Sequence, residues 1–278
     1  LAKTRGGGGE RVRRRSDTLD RETQASLMQA LRASSSIKSD DVRAWAKQGQ
    51  ALRRLGRHKE AVAAYDQALA IDPHYAWAWN GRGLALEGLG RREEALASFE
   101  RAVQEDPRGL WYYTNQLDPL LELRRHDRAL EVVDAALEIK SDSANVWARR
   151  GQILRRLKRN VDAVESYKKA IDLDPKYAWA WNGLGLAHAG LGEWASACDC
   201  YRKATEFNDG DVWFWHNLGE ALINLLRYSE AVEAFNQALT LNPHHEPSRA
   251  RRTEARHLLQ SAGDGNAPEL ADAEEDGE

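Results

Sequence analysis

Apolar, small and polar residues fall into columns that recur every 34 positions along most of the chain. With the frame opened at Val42, the windows 42–75, 76–109, 110–143, 144–177, 178–211 and 212–245 align without gaps. The fourth place holds Trp45, Trp79, Tyr113, Trp147, Trp181 and Trp215, and the eighth holds Gly49, Gly83, Leu117, Gly151, Gly185 and Gly219. Ala61, Ala95, Ala129, Ala163, Ala197 and Ala231 fill the twentieth place, and Tyr65, Phe99, Val133, Tyr167, Tyr201 and Phe235 the twenty-fourth. The fourth-place aromatic and Leu52, Leu86, Leu120 and Leu154, seven residues later, share one face of a helix. Gly56, Gly90 and Gly192 mark a turn from which a second helix starts. Pro73, Pro107, Pro175 and Pro243, separated by 34, 68 and 68 residues, stop that second helix. Each window therefore predicts two antiparallel helices, with glycine and alanine columns that let them approach closely. One such pair cannot bury its own apolar face, so neighbours must stack, and the core becomes a ribbon along the array.

The pattern W-x3-G-x11-A-x3-[YF]-x2-A-x4-P resembles the tetratricopeptide repeat (TPR), over residues 42–245. The resemblance implies an all-α, right-handed α-solenoid of six helix-turn-helix units. Residues 246–260 read as a capping helix, because Arg249, Arg252 and Arg256 stand where the repeats carry apolar residues or glycine. Upstream, residues 1–41 form a basic, Gly-rich segment with a short helix expected over Asp20–Ala33, and Ser39 and Asp40 are candidate caps of the first repeat helix. Gly6–Gly9 lacks a following K-[ST] and reads as a linker, and residues 261–278 read as an acidic, disordered tail. The third window departs most from the pattern. It has Leu117 for glycine, Val133 for the aromatic and Pro119 inside its first helix, which predicts a local distortion at Asp118–Pro119.

A longer period lies inside the array. Residues 71–90 match residues 173–192 at 15 of 20 places, so the six windows look like a duplicated block of three with a period of 102. The duplication repeats candidate binding groups. In this family the first helix of each unit lines the concave face, where ligands usually bind, so its second, fifth or sixth, ninth, twelfth and thirteenth places are expected to point inward. Trp77, Trp111, Trp179 and Trp213 hold the second place, either packing on the preceding turn at Tyr75 or Tyr177 or serving as aromatic anchors for a partner. Asn80 and Asn182 hold the fifth place, and Asn115 and Asn217 the sixth. Amides both donate and accept, so they suit the backbone of an extended peptide, and the resemblance strengthens that reading. Arg53, Arg54, Arg155 and Arg156 pair guanidinium groups able to hold a carboxylate or phosphate, although Glu87, Asp118, Glu122 and Glu220 lie on the same side. The TPR clamps that hold chaperone C-termini use a Lys/Asn, Asn, Lys/Arg set over three units. Ala46, Gln50, Gly81, Trp111 and Asn115 hold the corresponding places of the first block, and Ala148, Gln152, Gly183, Trp213 and Asn217 those of the second, so neither block matches.

Composition adds limits. Apolar residues make up 42% and charged residues 30%, the profile of a soluble, folded, helix-tolerant protein. Two Cys exclude a disulfide scaffold and fit a reducing, cytoplasmic setting, and no apolar stretch suits a membrane span. The net charge of −3 is a cancellation: residues 1–15 carry +5 and residues 261–278 carry −7. The balance argues against nucleic acid, and it makes the acidic tail a candidate occupant of the groove of its own or a neighbouring molecule. The eight His are scattered, no catalytic constellation appears, and Cys198 and Cys200 lack the further ligands zinc requires. No metal or cofactor is expected. The expected function is a non-catalytic scaffold that binds a protein or peptide segment in the concave groove. The alternative is the recognition or regulatory region of a larger enzyme or signalling protein, such as a glycosyltransferase or ATPase, which the Leu1 start would suit.

Overall fold

The computed structural model describes Ala25, Met28 and residues 40–263. Ala25 and Met28 are helical. The rest of the expected Asp20–Ala33 helix, the Gly6–Gly9 linker, Ser39 and the acidic stretch from Asp264 lie outside the described residues. Residues 42–263 form thirteen helices, and no strand occurs among the described residues. Two helices fall in each 34-residue window: α1 (Val42–Arg54) and α2 (His58–Ile71), α3 (Ala76–Gly88) and α4 (Arg92–Glu105), α5 (Leu110–Glu122) and α6 (His126–Ile139), α7 (Ala144–Arg156) and α8 (Asn160–Leu173), α9 (Ala178–Ala189) and α10 (Trp194–Phe207), α11 (Val212–Asn224) and α12 (Tyr228–Leu241). The last, α13, spans Glu246–Gly263. The protein is an all-α array of helix-turn-helix units, and it divides into two compact bodies, residues 1–115 and 116–278, at a point inside α5.

The turn within each window is built the same way six times. In the first, the Gly56 amide donates to Arg53 O at 3.0 Å and the Arg57 amide to Leu52 O at 2.9 Å, which satisfies the carbonyls at the end of α1. This closure needs a left-handed backbone at the fifteenth place. Gly56, Gly90 and Gly192 adopt φ near +75°, whereas Arg124, Lys158 and Leu226 are held at 57°, 60° and 58°. A side chain there costs roughly 1–2 kcal/mol. The packed helices on either side impose the turn even without glycine.

The connection between windows is also repeated. The second helices stop on extended residues, Asp72, Asp106, Lys140, Asp174, Asn208 and Asn242. The fourth-place indole then closes the turn: Trp79, Trp147, Trp181 and Trp215 each donate at 2.8 Å to the carbonyl of Pro73, Ser141, Pro175 or Asp209. The cap of α1 is Asp41, whose carboxylate accepts the Ala44 amide at 2.9 Å. The expected cap Asp40 lies in a turn one residue upstream of that cap.

In the first body the core gathers around Tyr65 and Phe99, both buried. Their rings occupy the space that the glycines leave, since a methyl group at Gly81 would run into Tyr65 and one at Gly83 into Phe99. The second body repeats this with Tyr167, Tyr201 and Phe235 against Gly183, Gly185 and Gly219. The third window solves the same problem by exchange of volume. Leu117 replaces the glycine, Val133 replaces the ring, and both are fully buried. α5 remains helical through Pro119, so the distortion expected at Asp118–Pro119 does not interrupt the helix.

α13 continues the pattern as the first helix of a seventh window. Arg249, at the fourth place, donates to Pro243 O at 2.6 Å as the indoles do. Arg252 departs from the expectation of a place that is apolar or glycine in the repeats: the seventh place also carries Arg82 and Arg150, and Arg252 donates to Asn236 at 3.1 Å as they donate to Asp66 and Asp134 at 2.7 Å. Ala255 is fully buried while Arg256 is exposed, so the helix covers the core with one face and meets solvent with the other.

Candidate functional site

The candidate groups divide evenly between the bodies: Arg53, Arg54, Trp77, Asn80, Trp111 and Asn115 in the first, and Arg155, Arg156, Trp179, Asn182, Trp213 and Asn217 in the second. All lie on the first helices of their windows. Within each body the asparagines meet. Asn115 Nδ2 donates to Asn80 Oδ1 at 2.8 Å, and Asn217 Nδ2 donates to Asn182 Oδ1 at 2.9 Å. Asn80 and Asn182 are buried, so they act beneath the surface. Their partners, Asn115 and Asn217, are half-buried. The inner amide thereby fixes the orientation of the outer one, which retains its carbonyl oxygen and one N–H for other contacts.

The tryptophan column splits into two kinds. Trp77 lies edge-on to Tyr65 with ring centres 6.4 Å apart and is tilted against Tyr75 at 6.0 Å. Trp179 repeats this with Tyr167 at 6.4 Å and Tyr177 at 6.1 Å. Both indoles are half-buried, packed on the buried ring and on the inter-window turn at once. Trp111 and Trp213 are instead 70% and 54% exposed. Each stands four residues before its body's outer asparagine, one helical turn away on the same face.

The arginine pairs divide in the same manner. Arg53 and Arg155 are half-buried against the hydroxyls of Tyr65 and Tyr167, and Arg54 and Arg156 are exposed. Burial pushes the Tyr167 hydroxyl up to about 12, with Arg155 opposing the shift, so the phenol stays neutral. In the second body Arg156 lines a depression of about 620 Å³ with Asp118, Glu122 and Gln152. Asp118 is already paired with Arg149 at 2.7 Å, and Glu220 is held by Arg251 through contacts of 2.5 and 2.6 Å. Both acids are thus bound to partners within the fold.

One cluster was not anticipated. His216 and His245 pack under Trp213, with ring centres 5.4 and 4.6 Å from it, and both turn Nδ1 toward Ser248 Oγ. The one signal in the sequence was Ser248 itself. It holds the third place, which in the six windows carries Ala44, Ala78, Tyr112, Val146, Ala180 and Phe214. Cys198 and Cys200 are buried helix residues, and burial pushes the Cys200 thiol up to about 12, away from reactivity. Among the described residues no group of three His, Cys, Asp or Glu is placed to hold a metal, and no helix is long and apolar enough to cross a membrane.

The chain matches the family profile described as "TPR repeat" over residues 49–90 and 151–192. Profiles described as "Tetratricopeptide repeat" match residues 76–108, 178–211 and 212–245. Among solved structures, a tetratricopeptide repeat protein from Parabacteroides merdae superposes with a TM-score of 0.62 at 17% identity, covering 84% of this chain and 91% of its own. TTC0263 from Thermus thermophilus superposes at 0.55 with 24% identity, covering 66% and 100%. YrrB, described as a TPR protein with an unusual peptide-binding site, superposes at 0.55 with 18% identity, covering 69% and 99%. At these identities the likeness is one of fold. A comparison with curated protein sequences finds no match.

Proposed function

The chain belongs to the tetratricopeptide repeat family, and we propose that it is a non-catalytic scaffold binding extended peptide segments at two matched patches, one in each body. The observation that carries this reading is an exposed indole one helical turn from an oriented amide, present twice: Trp111 with Asn115, and Trp213 with Asn217. The amide offers one acceptor and one donor, the complement of a peptide's backbone N–H and carbonyl, and does so whatever the peptide sequence. The indole offers a large apolar surface at little ordering cost, as hot-spot residues do. Trp77 and Trp179 act as the wall of each patch. Arg54 and Arg156 add a charge suited to an acidic side chain or a terminal carboxylate. Because the inner asparagines and buried tyrosines already hold these groups, little freedom is lost on binding. The peptide-binding site named for YrrB supports the class of ligand.

The test is affinity capture with the full protein and its Trp111→Ala, Trp213→Ala double variant. We expect captured peptides or proteins to be lost by about tenfold or more while helicity and melting stay near wild type, since exposed substitutions usually change stability by about 0.5 kcal/mol or less. Undiminished capture by a folded double variant would remove both indoles from the site.

A further inference from the structure

The sixth repeat and α13 are joined by a hydrogen-bonded relay that the repeat pattern does not require. Ser248 is fully buried, and its hydroxyl lies 2.7 Å from His245 Nδ1 and 3.1 Å from His216 Nδ1. A hydroxyl has one proton, so it donates to one ring and accepts from the other. The surroundings decide which. His216 Nε2 faces Glu220 Oε1 at 3.7 Å, which favours a proton on Nε2 and leaves Nδ1 as the acceptor. His245 Nε2 is buried with no partner, which favours a bare nitrogen there and a proton on Nδ1. The hydrogen bonds then run from His245 to Ser248 to His216, whose Nε2 faces Glu220 without bonding to it, with both rings neutral.

We propose that this seam is a proton-operated latch: neutral His216 and His245 hold α13 on the sixth repeat, and their protonation releases it. A proton added to His216 Nδ1 removes the acceptor of the Ser248 hydroxyl. A proton added to His245 Nε2 creates a buried donor with no acceptor. The ring centres are 5.5 Å apart, so two imidazolium ions would also repel in a site with little water. The other groups that face the cluster offer limited relief. Glu220 on α11 is already held by Arg251 of α13, which in turn also binds Glu254. Phe235 of α12 covers His216 with an apolar ring at 5.6 Å. Burial accordingly holds both imidazoles below their usual value; at His216, Glu220 opposes the shift while His245 and Arg251 reinforce it. For groups so shifted, the stabilising contribution is complete above the unfolded histidine value of about 6.5 and is lost as pH falls through the lower folded values. Acid also removes the bed on which Trp213 rests and so weakens the second peptide patch. That consequence rests on the proposed function, whereas the latch itself does not.

The test uses the full protein without any ligand. Histidine-ring NMR is recorded against pH, with exposed His244 and His257 as internal references. Amide exchange protection is compared for residues 246–263 and for α9–α10 in neutral and in mildly acidic buffer, on either side of the unfolded histidine value of about 6.5. We expect His216 and His245 to charge at lower pH than the references, and protection of α13 to fall more on acidification than that of α9–α10. In a His216→Asn, His245→Asn variant, which keeps amide donors in place, the additional loss should disappear. Four rings titrating together would overturn the latch, as would an equal pH effect on α13 in wild type and variant. If the variant does not fold, the ring titration of the wild type decides alone.

Discussion

Trp111 and Trp213 hold the same place in two copies of one block, yet their environments differ. Trp111 is the most exposed large apolar side chain among the described residues, at 70%. Trp213 is 54% exposed and stands edge-on against two imidazoles. The layer beneath the patches agrees between the copies to within 0.1 Å in both the asparagine bond and the tryptophan–tyrosine spacing. The difference enters at Thr114 and His216, which hold the same place in the two blocks, and at Ser143 and His245, which likewise hold the same place. The two copies therefore share the machinery that orients the outer asparagines, while among the described residues only the second has imidazoles packed against its exposed indole. The two patches are expected to behave alike at neutral pH and to diverge in acid.

The comparison can be tested most severely at the rings beneath it. Tyr65→Ala and Tyr167→Ala should each destabilise their own body by about 3–5 kcal/mol, because each ring fills the gap between glycine-bearing helices. Urea unfolding of the two variants should give similar losses, and a difference of several kcal/mol would show that the cores are not equivalent. A smaller effect is expected at the amides. Asn80→Ala and Asn182→Ala remove the acceptor that orients Asn115 or Asn217, at a cost of about 1–3 kcal/mol measured by melting. If the amide bond were incidental, both variants would melt with the wild type. The smallest effect lies in the turns of the second body. Leu226→Gly should stabilise by about 1 kcal/mol and Gly192→Ala should destabilise by a similar amount, because both residues sit at positive φ. A lower melting temperature for Leu226→Gly would mean that packing by the exposed leucine outweighs its backbone strain.

Much of the architecture was legible from the residues alone. The glycine and alanine columns announced close helix contacts, and the prolines marked the ends of the second helices. Leu117 and Val133 were legible only as departures, and their exchange of volume emerged once both were found fully buried. The site was legible only as a set of inward places. Helical spacing put Asn80 and Asn115 on the first helices of adjacent windows, but it did not disclose that one is buried and orients the other. Nor did it separate Arg53 and Arg155, laid against tyrosine hydroxyls, from the exposed Arg54 and Arg156. The turns at Arg124, Lys158 and Leu226 were missed because no glycine marks them. Their left-handed backbone is imposed by helices already fixed on both sides.

The sequence by itself determined the repeat length, the helical class, the duplicated block and the side chains present at each candidate place on the first helices. These follow from local rules: side-chain size and helical period belong to the residues themselves. Tertiary structure decided which of those side chains are support and which are surface. Exposure depends on what the neighbouring helix brings into contact, and that neighbour stands some 34 residues away. The cluster of His216, His245 and Ser248 is the sharpest instance, since two scattered histidines and one serine out of pattern become a hydrogen-bonded unit only when α13 docks.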